Sequence, residues 1–324
     1  MALEDMASLG IVIVHYNTPD LLRGCLASLQ ACTLPYQVVV VDNASPSGQG
    51  VEMARHEFPE VQLIANDENL GFAAASNQGI RALSPTRPLL SPLPGVGRGQ
   101  ARALLLLNAD TVVQEGALET LAAFLEERPR AGAVGPRLLN TDGSIQENTF
   151  TFPTLWMSFF DFFPLHGRLY HSRLNGRYPE MHGEKAFPID HPLGACLLLR
   201  WEALEQVGLL DEGYFMYVEE VDLCYRLKQA GWEVWHVPAA RVVHYGGRST
   251  RQMPERMFVE LHRSRYRFFR KFYPPAFRWA HCRITRLGLH RRARQDRRAC
   301  REGRISRAEL ASRLAAYGEI AAMR

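Results

Sequence analysis

Carboxylate side chains follow apolar runs at two places in this chain and cluster at a third. Asp42 ends a run of four valines, and Asp110 follows four leucines and Asn108-Ala109. The third place carries three carboxylates within four positions, Glu219, Glu220 and Asp222. Hard divalent cations take carboxylate oxygens as ligands, and a carboxylate with a raised pKa suits a general base. The sequence therefore predicts a site for a metal ion, a diphosphate and a proton-accepting group.

The acidic cluster at 219–222 has two explanations. Three neighbouring carboxylates repel one another and should raise at least one pKa, which favours a general base. Alternatively, they compensate the dipole in the first turn of a helix, with Asp222 paired to Arg226 four residues later. The second explanation is preferred for Asp222 and the first for at least one glutamate, so the base stays open among the three residues.

The other candidates each have a structural explanation when taken singly. Asp42, Asn43 and Ser45 are typical of a turn, and an aspartate after a strand, such as Asp110, is typical of a helix cap. A lone histidine such as His244 is more often structural than a ligand. The small residues at 69–79 would let backbone approach a phosphate at a helix start, or let that helix pack closely on a sheet.

Alternating strands and helices predict an α/β fold whose mostly parallel sheet is covered on both faces. Strands are predicted at 11–16, 37–42, 61–65, 103–107, 133–139, 194–200, 232–237 and 241–245. Helices are predicted to begin near residues 19, 51, 72, 117, 201 and 219. The Pro- and Gly-rich stretch at 84–100 is interpreted as a loop inserted into the domain.

The charge distribution divides the 324-residue chain. The formal net charge is +4, yet residues 251–304 contain seventeen Lys and Arg against four Asp and Glu. We expect a catalytic domain at 1–253 and a basic helical extension at 254–324. Without a signal peptide or an apolar run of about 20 residues, the chain is expected to be cytoplasmic, peripheral at most on the inner face of the membrane.

As a set, these motifs resemble family 2 glycosyltransferases of the GT-A fold, in the branch of bacterial rhamnosyltransferases. The matching stretches cover roughly residues 9–250 and lie at 40–45, 69–77, 106–110, 194–200, 215–226 and 242–244. The resemblance implies inverting transfer of a sugar, with rhamnose a candidate, from a dTDP- or UDP-sugar. It also implies a glycan or polyprenyl-diphosphate-linked acceptor whose hydroxyl receives the sugar in cell-envelope polysaccharide synthesis.

The resemblance assigns expected roles to individual residues. It implies that Asp110 binds Mg²⁺ or Mn²⁺ as the end of a degenerate D-x-D motif, that His244 assists metal or diphosphate binding, and that Glu220 is the base. Contacts with the nucleotide sugar are implied for Asp42, Asn43, Asn69, Gly71, Phe72, Asn77 and Asn108. The chain departs from the family pattern at Glu220, where aspartate is usual, and at Ala109, where proline is usual.

Two other functions compete with this interpretation. A dinucleotide-dependent oxidoreductase is discounted, because the glycine cluster at 95–99 precedes a strand instead of following one. The basic extension, where arginines alternate with aromatic residues, could bind nucleic acid through phosphate contacts and base stacking. An anionic membrane surface is preferred over nucleic acid as its partner, because the rest of the chain resembles an enzyme.

The predicted membrane contact rests on particular residues of the extension. Its cationic members are Arg263, Arg270, Lys271 and Arg278, and its interfacial members are Phe268, Phe269, Phe272, Tyr273 and Trp279. The alternative is that these aromatic side chains pack on the catalytic domain as a closing helix.

Overall fold

The structure, a computed structural model, describes residues 9–83, 103–247 and 253–323, so the predicted loop at 84–100 lies outside the described residues. A nine-stranded sheet flanked by helices forms the centre of the described part. The strands are β1 (Leu9–His15), β2 (Tyr36–Asp42), β3 (Gln62–Ala65), β4 (Ala103–Asn108), β5 (Thr111–Val113), β6 (Ala131–Leu139), β7 (Thr149–Phe150), β8 (Phe187–Pro188), β9 (His191–Pro192), β10 (Cys196–Arg200) and β11 (Glu233–His244). The helices are α1 (Pro19–Leu29), α2 (Gln49–Glu57), α3 (Phe72–Ala82), α4 (Ala117–Glu127), α5 (Leu155–Phe160), α6 (Gly167–Tyr170), α7 (Trp201–Val207), α8 (Glu219–Gln229), α9 (Pro254–Phe272), α10 (Pro275–Arg301) and α11 (Arg307–Ala322).

The first half of the sheet brings polar strand ends together. Strands β3, β2, β1 and β4 are neighbours in that order and are parallel, as predicted. Their register places His15 opposite Asp42, and Val14 opposite Asn108. Because parallel strands end at one edge of a sheet, this edge is where a ligand crevice is expected.

The second half departs from the predicted mostly parallel sheet. Strand β10 is antiparallel to both β4 and β6, and β11 is parallel to β6 but antiparallel to β5 and β8. A strand buried on both faces has a similar apolar sequence in either direction, so Cys196–Arg200 gives no sign of its orientation. As a result, the residues before β10 meet the end of β4, where the Asn108 N–H donates to the Ala195 carbonyl at 2.9 Å.

The two strands predicted at 232–237 and 241–245 form one strand, β11. Its pairing with β6 shifts register between Val237 and Arg241, which places an irregularity around Pro238. Proline lacks a backbone N–H, so a bulge is the expected place for it within a sheet. The interrupted apolar pattern therefore marks a bulge, and the strand continues to His244.

The strands alternate their side chains between two buried layers. Ile11, Val40 and Leu105 pack with α1 and α4 on one face of the sheet. Val12 and Leu104 pack with residues of α3, α7 and α8 on the other. Successive strand residues point to opposite faces, so continuous valine and leucine runs require apolar layers on both sides.

The C-terminal helices correct part of the membrane prediction. Phe268 and Phe269 are 0% and 1% exposed and pack with Tyr214, Val218 and Val221. They are therefore core residues of the kind expected of a closing helix, and their assignment to a membrane interface was wrong. No helix among the residues that the structure describes has both the length and the hydropathy needed to cross a bilayer.

Candidate active site

A cavity of about 460 Å³ lies at the edge where β1, β2 and β4 end. Four of the predicted site residues that line it carry ionisable groups: Asp110, Glu219, Glu220 and His244. Predicted nucleotide-contact residues that also line it are Asn43, Asn69, Phe72 and Asn108. The structure thus gathers residues from across two hundred positions into one cavity.

One wall of the cavity joins Asp110 to His244. His244 lies opposite Thr111 in the sheet, and its Nε2 is 3.3 Å from Asp110 Oδ1. Its Nδ1 is 2.7 Å from the side-chain oxygen of Gln146, whose amide nitrogen donates to Asn140. Because the Gln146 oxygen only accepts, Nδ1 donates to it, which directs Nε2 toward the Asp110 carboxylate.

This arrangement fits a divalent cation. Imidazole nitrogen and carboxylate oxygen are both common ligands of divalent cations, and here Nε2 and Oδ1 lie side by side on one wall of the cavity. Among the described residues there is no group of three or more His, Cys, Asp or Glu that could hold a metal. Mg²⁺ is commonly held by one or two protein ligands with substrate phosphates and water completing its shell, so Asp110 and His244 suit a metal that arrives with a diphosphate.

The other acidic residues that line the cavity, Glu219 and Glu220, lie at the start of α8. Burial raises the pKa of Glu219 well above its ordinary value, and the neighbouring Glu220 charge raises it further. Burial also raises the pKa of Glu220. The Glu220 carboxyl lies beside Gly194, where an added Cβ would be 3.3 Å from its Cδ. Gly194 precedes Ala195, whose carbonyl accepts a hydrogen bond from the Asn108 N–H at the end of β4. Glu220 therefore faces the strand end that Asp110 follows.

The backbone leading into the two glutamates is strained. Tyr217 and Val218 have φ values of 69° and 71°, in the left-handed region that side chains, and β-branched ones above all, disfavour. Such residues cost about 1–3 kcal/mol each and persist where the surrounding structure imposes them. Val218 is held by packing against Phe268 and Phe269. Helix α9, the first of the three C-terminal helices, therefore helps to fix the position of the glutamates.

We expect Glu219→Gln to stabilise the folded chain at neutral pH. Glu219 is 6% exposed, and its Oε2 has no hydrogen-bond partner among the described residues. When the pKa of a carboxyl is higher in the folded than in the unfolded chain, the free energy of unfolding decreases as pH rises from the unfolded pKa to the folded pKa. Thermal unfolding from pH 5 to 8 should show that the variant is more stable than wild type by an amount that increases with pH. A stability difference that decreases with pH would contradict the burial of the Glu219 carboxyl.

The loop before α3 connects the end of β2 to the segment that precedes the acidic helix α8. The Asn43 amide donates to Asn69 Oδ1 at 2.9 Å, and the Phe72 N–H donates to the Phe215 carbonyl at 2.7 Å. Gly71 has a φ of +84°, and an added Cβ would lie 2.4 Å from the Phe215 oxygen. The space that Gly71 leaves is thus filled by backbone, and Gly71 does not line the cavity.

Asp42 forms hydrogen bonds within the protein. Its Oδ1 accepts from Ser45 Oγ at 2.6 Å and lies 2.7 Å from His15 Nδ1, and its Oδ2 accepts from the Ser45 N–H at 3.0 Å. Burial alone raises the pKa of Asp42, but the bonds from His15 and Ser45 outweigh it and lower the pKa overall. His15 Nε2 in turn accepts from the Thr18 N–H at 3.0 Å. Asp42 is outside the cavity lining and shapes the loop that carries Thr18.

Asn77 does not reach the cavity. Its amide nitrogen donates to the Leu210 carbonyl and to Glu212, both at 2.9 Å, and its oxygen accepts from the Leu210 N–H at 3.2 Å. Both donors and the acceptor are therefore used to hold the 210–212 loop against α3. This geometry is against the predicted contact of Asn77 with the nucleotide sugar.

Asp222 is also outside the cavity. It is fully buried; Arg226 Nε donates to its Oδ1 at 2.6 Å, and Lys271 Nζ donates to its Oδ2 at 2.7 Å. The Tyr214 hydroxyl adds a bond at 3.0 Å. The Asp222–Arg226 pair is the one that the spacing predicted, and Lys271 extends it to α9. A carboxylate with three donors and no access to the cavity is a structural group.

Replacing Asp222 with asparagine should therefore reduce stability. Removing one partner of a buried ion pair costs about 3–5 kcal/mol, and we expect about 2 kcal/mol here because Arg226 and Lys271 are partly exposed. Denaturant unfolding measures the loss, and Glu57→Gln, which breaks an exposed pair with Arg23, serves as the control. An unchanged unfolding midpoint in Asp222→Asn would refute this structural role.

Sequence reasoning missed Gln146 and Arg256. Gln146 lies in the irregular stretch at 140–190, where no periodicity marks a residue that orients His244. Arg256 is hidden among the many arginines of the extension, yet it is the only Lys or Arg among the described residues lining the cavity. Its guanidinium lies 5.1 Å from the centre of the Phe215 ring.

Comparison with known proteins identifies the family of the chain. The sequence profile described as glycosyltransferase like family 2 matches residues 7–267. The N-acetylglucosaminyl-diphospho-decaprenol L-rhamnosyltransferase of Mycobacterium tuberculosis is 32% identical over 277 residues, which cover 80% of this chain and 83% of that enzyme.

Two solved structures share the fold. The mannosyltransferase PcManGT from Pyrobaculum calidifontis, in complex with GDP-Man and Mn²⁺, has a TM-score of 0.52 at 15% identity, over 97% of this chain and 80% of that one. GalNAc-T7 with UDP, GalNAc and Mn²⁺ has a TM-score of 0.51 at 18% identity, over 74% of this chain and 44% of that one. The fold is GT-A. The chain belongs to the glycosyltransferase like family 2 and is a glycosyltransferase.

Proposed function

We propose that this chain transfers rhamnose, with inversion, from a nucleoside diphosphate sugar to a hydroxyl of N-acetylglucosamine carried on a polyprenyl diphosphate. The observation that carries the proposal is the single cavity with Asp110 and His244 on one wall and Glu220 on another. The name of the mycobacterial relative supports the choice of sugar and acceptor.

The nucleotide is placed at the ends of β1 and β2. Asn43, Asn69 and Phe72 line this part of the cavity and offer an amide edge and an aromatic face. Asp42 acts indirectly, by holding His15 and the loop that follows it. The diphosphate then extends toward Asp110 and His244, and Arg256 supplies a cationic side chain in an otherwise acidic cavity.

Asp110 and His244 would hold Mg²⁺ or Mn²⁺ together with the donor diphosphate. A divalent cation in such a site stabilises the negative charge that develops on a departing diphosphate. Gln146 keeps the His244 ring in the tautomer that leaves Nε2 free. With only these two side chains to hold the cation, metal binding and donor binding would depend on each other.

Glu220 is placed as the general base. Its raised pKa favours proton uptake, and its position beside Gly194 faces the strand end with Asp110. The acceptor hydroxyl loses its proton to a Glu220 oxygen as it attacks the anomeric carbon from the side opposite the diphosphate. The new bond joins the acceptor oxygen to the anomeric carbon, the bond to the diphosphate oxygen breaks, and the configuration is inverted.

A transfer assay tests the proposal. The full chain is incubated with Mn²⁺, a prenyl-diphosphate-linked N-acetylglucosamine and, in separate reactions, dTDP-rhamnose, UDP-glucose, UDP-galactose and GDP-mannose. We expect a disaccharide product with dTDP-rhamnose and an anomeric configuration opposite to that of the donor. Transfer from another donor alone would refute the proposed sugar, and retention of configuration would refute the mechanism.

A further inference from the structure

The long helix α10 has an unusual composition. It carries nine arginines and one acidic residue, Asp296. Asp296 is engaged by Arg313 at 3.0 Å and by the Tyr317 hydroxyl at 2.7 Å, both on α11. The positive charge of α10 is therefore left almost unbalanced by its own sequence.

The packing of α10 fixes which side faces outward. His281 Nδ1 lies 2.9 Å from Ser158 Oγ on α5, and an added Cβ at Gly288 would lie 2.0 Å from the Phe162 ring. Arg291 is also directed inward, where it donates to the Phe162 carbonyl at 2.6 Å. These contacts leave no freedom for the helix to rotate about its axis.

The outer face of α10 combines cationic and apolar side chains. Its members recur at helical spacing and are exposed: Trp279, Arg283, Leu287, His290, Arg294, Arg297 and Arg301. Trp279 and Leu287 are each 65% exposed, the highest values among the large exposed hydrophobic residues of the described chain. The Arg283 guanidinium lies 5.4 Å from the centre of the Trp279 ring. No arginine of this face has a carboxylate within 4.0 Å among the described residues.

We propose that this outer face of α10 docks the enzyme on an anionic phospholipid bilayer. The inference extends the proposed function, because an acceptor carried on a polyprenyl diphosphate lies in a membrane. Arginines attract anionic headgroups, tryptophan favours the headgroup level, and leucine enters the acyl boundary. The docking residues thus differ from the aromatic cluster around Phe268 and Phe269, which the fold buries.

The exposed apolar pair, Trp279 and Leu287, favours a bilayer over RNA as the partner of this face. Single-stranded nucleic acid binds through backbone charge and stacking of bases on several aromatic rings. Apart from the imidazole of His290, the outer face offers one exposed aromatic ring, Trp279, and its other apolar member is an aliphatic side chain, Leu287, which gives bases no ring to stack on. A bilayer accommodates both side chains.

Vesicle co-sedimentation of the full-length protein tests the proposal. The vesicles contain phosphatidylcholine alone or with one third phosphatidylglycerol. Three forms are compared with wild type: Arg283→Gln/Arg294→Gln/Arg297→Gln, Trp279→Ser/Leu287→Ser, and the charge-matched control Arg55→Gln/Arg130→Gln/Lys185→Gln, whose sites are exposed on α2 and in two connecting segments. At about 1 kcal/mol per basic residue and 1.4 kcal/mol per tenfold, the arginine triple variant should bind anionic vesicles about 10²-fold more weakly.

We expect wild type and control to bind anionic vesicles only, and both outer-face variants to be impaired. The proposal is overturned if the control loses as much affinity as the arginine variant, if wild type does not bind, or if single-stranded RNA displaces wild type from vesicles at equal ionic strength. Transfer to a short, water-soluble acceptor should be unchanged in all variants. Absence of that transfer in wild type would refute the proposed function and leave the vesicle result to decide the docking proposal.

Discussion

Glu220→Gln is expected to bind the donor as wild type does and to lose transfer by about 10²–10⁴-fold, the usual contribution of a positioned general base. The amide keeps the shape of the carboxyl beside Gly194 but cannot accept the acceptor's proton. Donor affinity is measured by calorimetric titration with Mn²⁺, and transfer by product formation at saturating donor. Glu220→Asp restores a carboxylate and should recover part of the rate.

The pH dependence of turnover is an independent test of Glu220 as the general base. Because burial raises the pKa of Glu220, wild-type turnover should fall as pH decreases through that raised value and the base becomes protonated. The acid limb should be absent from the residual activity of Glu220→Gln. Glu219→Gln is the matched comparison: it removes the neighbouring carboxylate and should keep most transfer. If Glu219→Gln is inactive while Glu220→Gln is active, the base is Glu219.

The second large effect is expected for Asp110→Ala, which should abolish the metal-dependent part of donor affinity. Asp110 supplies the carboxylate that faces His244 Nε2 at 3.3 Å, so its removal leaves a single protein ligand. The fold should persist, because Asp110 lies beyond the end of β4 and outside the apolar core. Calorimetric titration of a nucleoside diphosphate with and without Mn²⁺ measures the difference.

Glu115→Ala provides the control for this variant, since Glu115 is an exposed carboxylate a few residues further along the chain. It should retain the full effect of Mn²⁺ on affinity. Equal metal dependence in Asp110→Ala and wild type would remove Asp110 from the metal site. Gln146→Ala should weaken the metal effect less than Asp110→Ala does, because Gln146 only orients His244.

Periodicity and strand-end position predicted much of which residues lie together around the cavity, because both are local. The apolar runs before Asp42 and Asp110 predicted two strand ends at one edge of the sheet, and the register of β1 with β2 and β4 places these ends on either side of β1. The spacing of Asp222 and Arg226 predicted their ion pair. Each of these features depends on residues within one element or on the common edge of a parallel sheet.

The features that sequence reasoning missed depend on contacts between distant segments. The orientation of β10 brings Gly194 and Glu220 to the end of β4, and an apolar strand does not reveal its direction. A contact with the nucleotide sugar was expected for Asn77 because the sequence does not reveal its hydrogen-bond partners. These partners, Leu210 and Glu212, lie more than 130 positions away. The aromatic residues of α9 were assigned to a membrane because composition does not distinguish a core face from an interfacial one.

The most direct measurement is anomalous diffraction from crystals grown with Mn²⁺ and a nucleoside diphosphate. We expect a manganese peak at bonding distance from Asp110 and His244, with the diphosphate on the same ion and the Glu220 carboxyl facing the vacant sugar position. Manganese and diphosphate bound away from these two residues, or Glu220 facing away from the diphosphate, would contradict it.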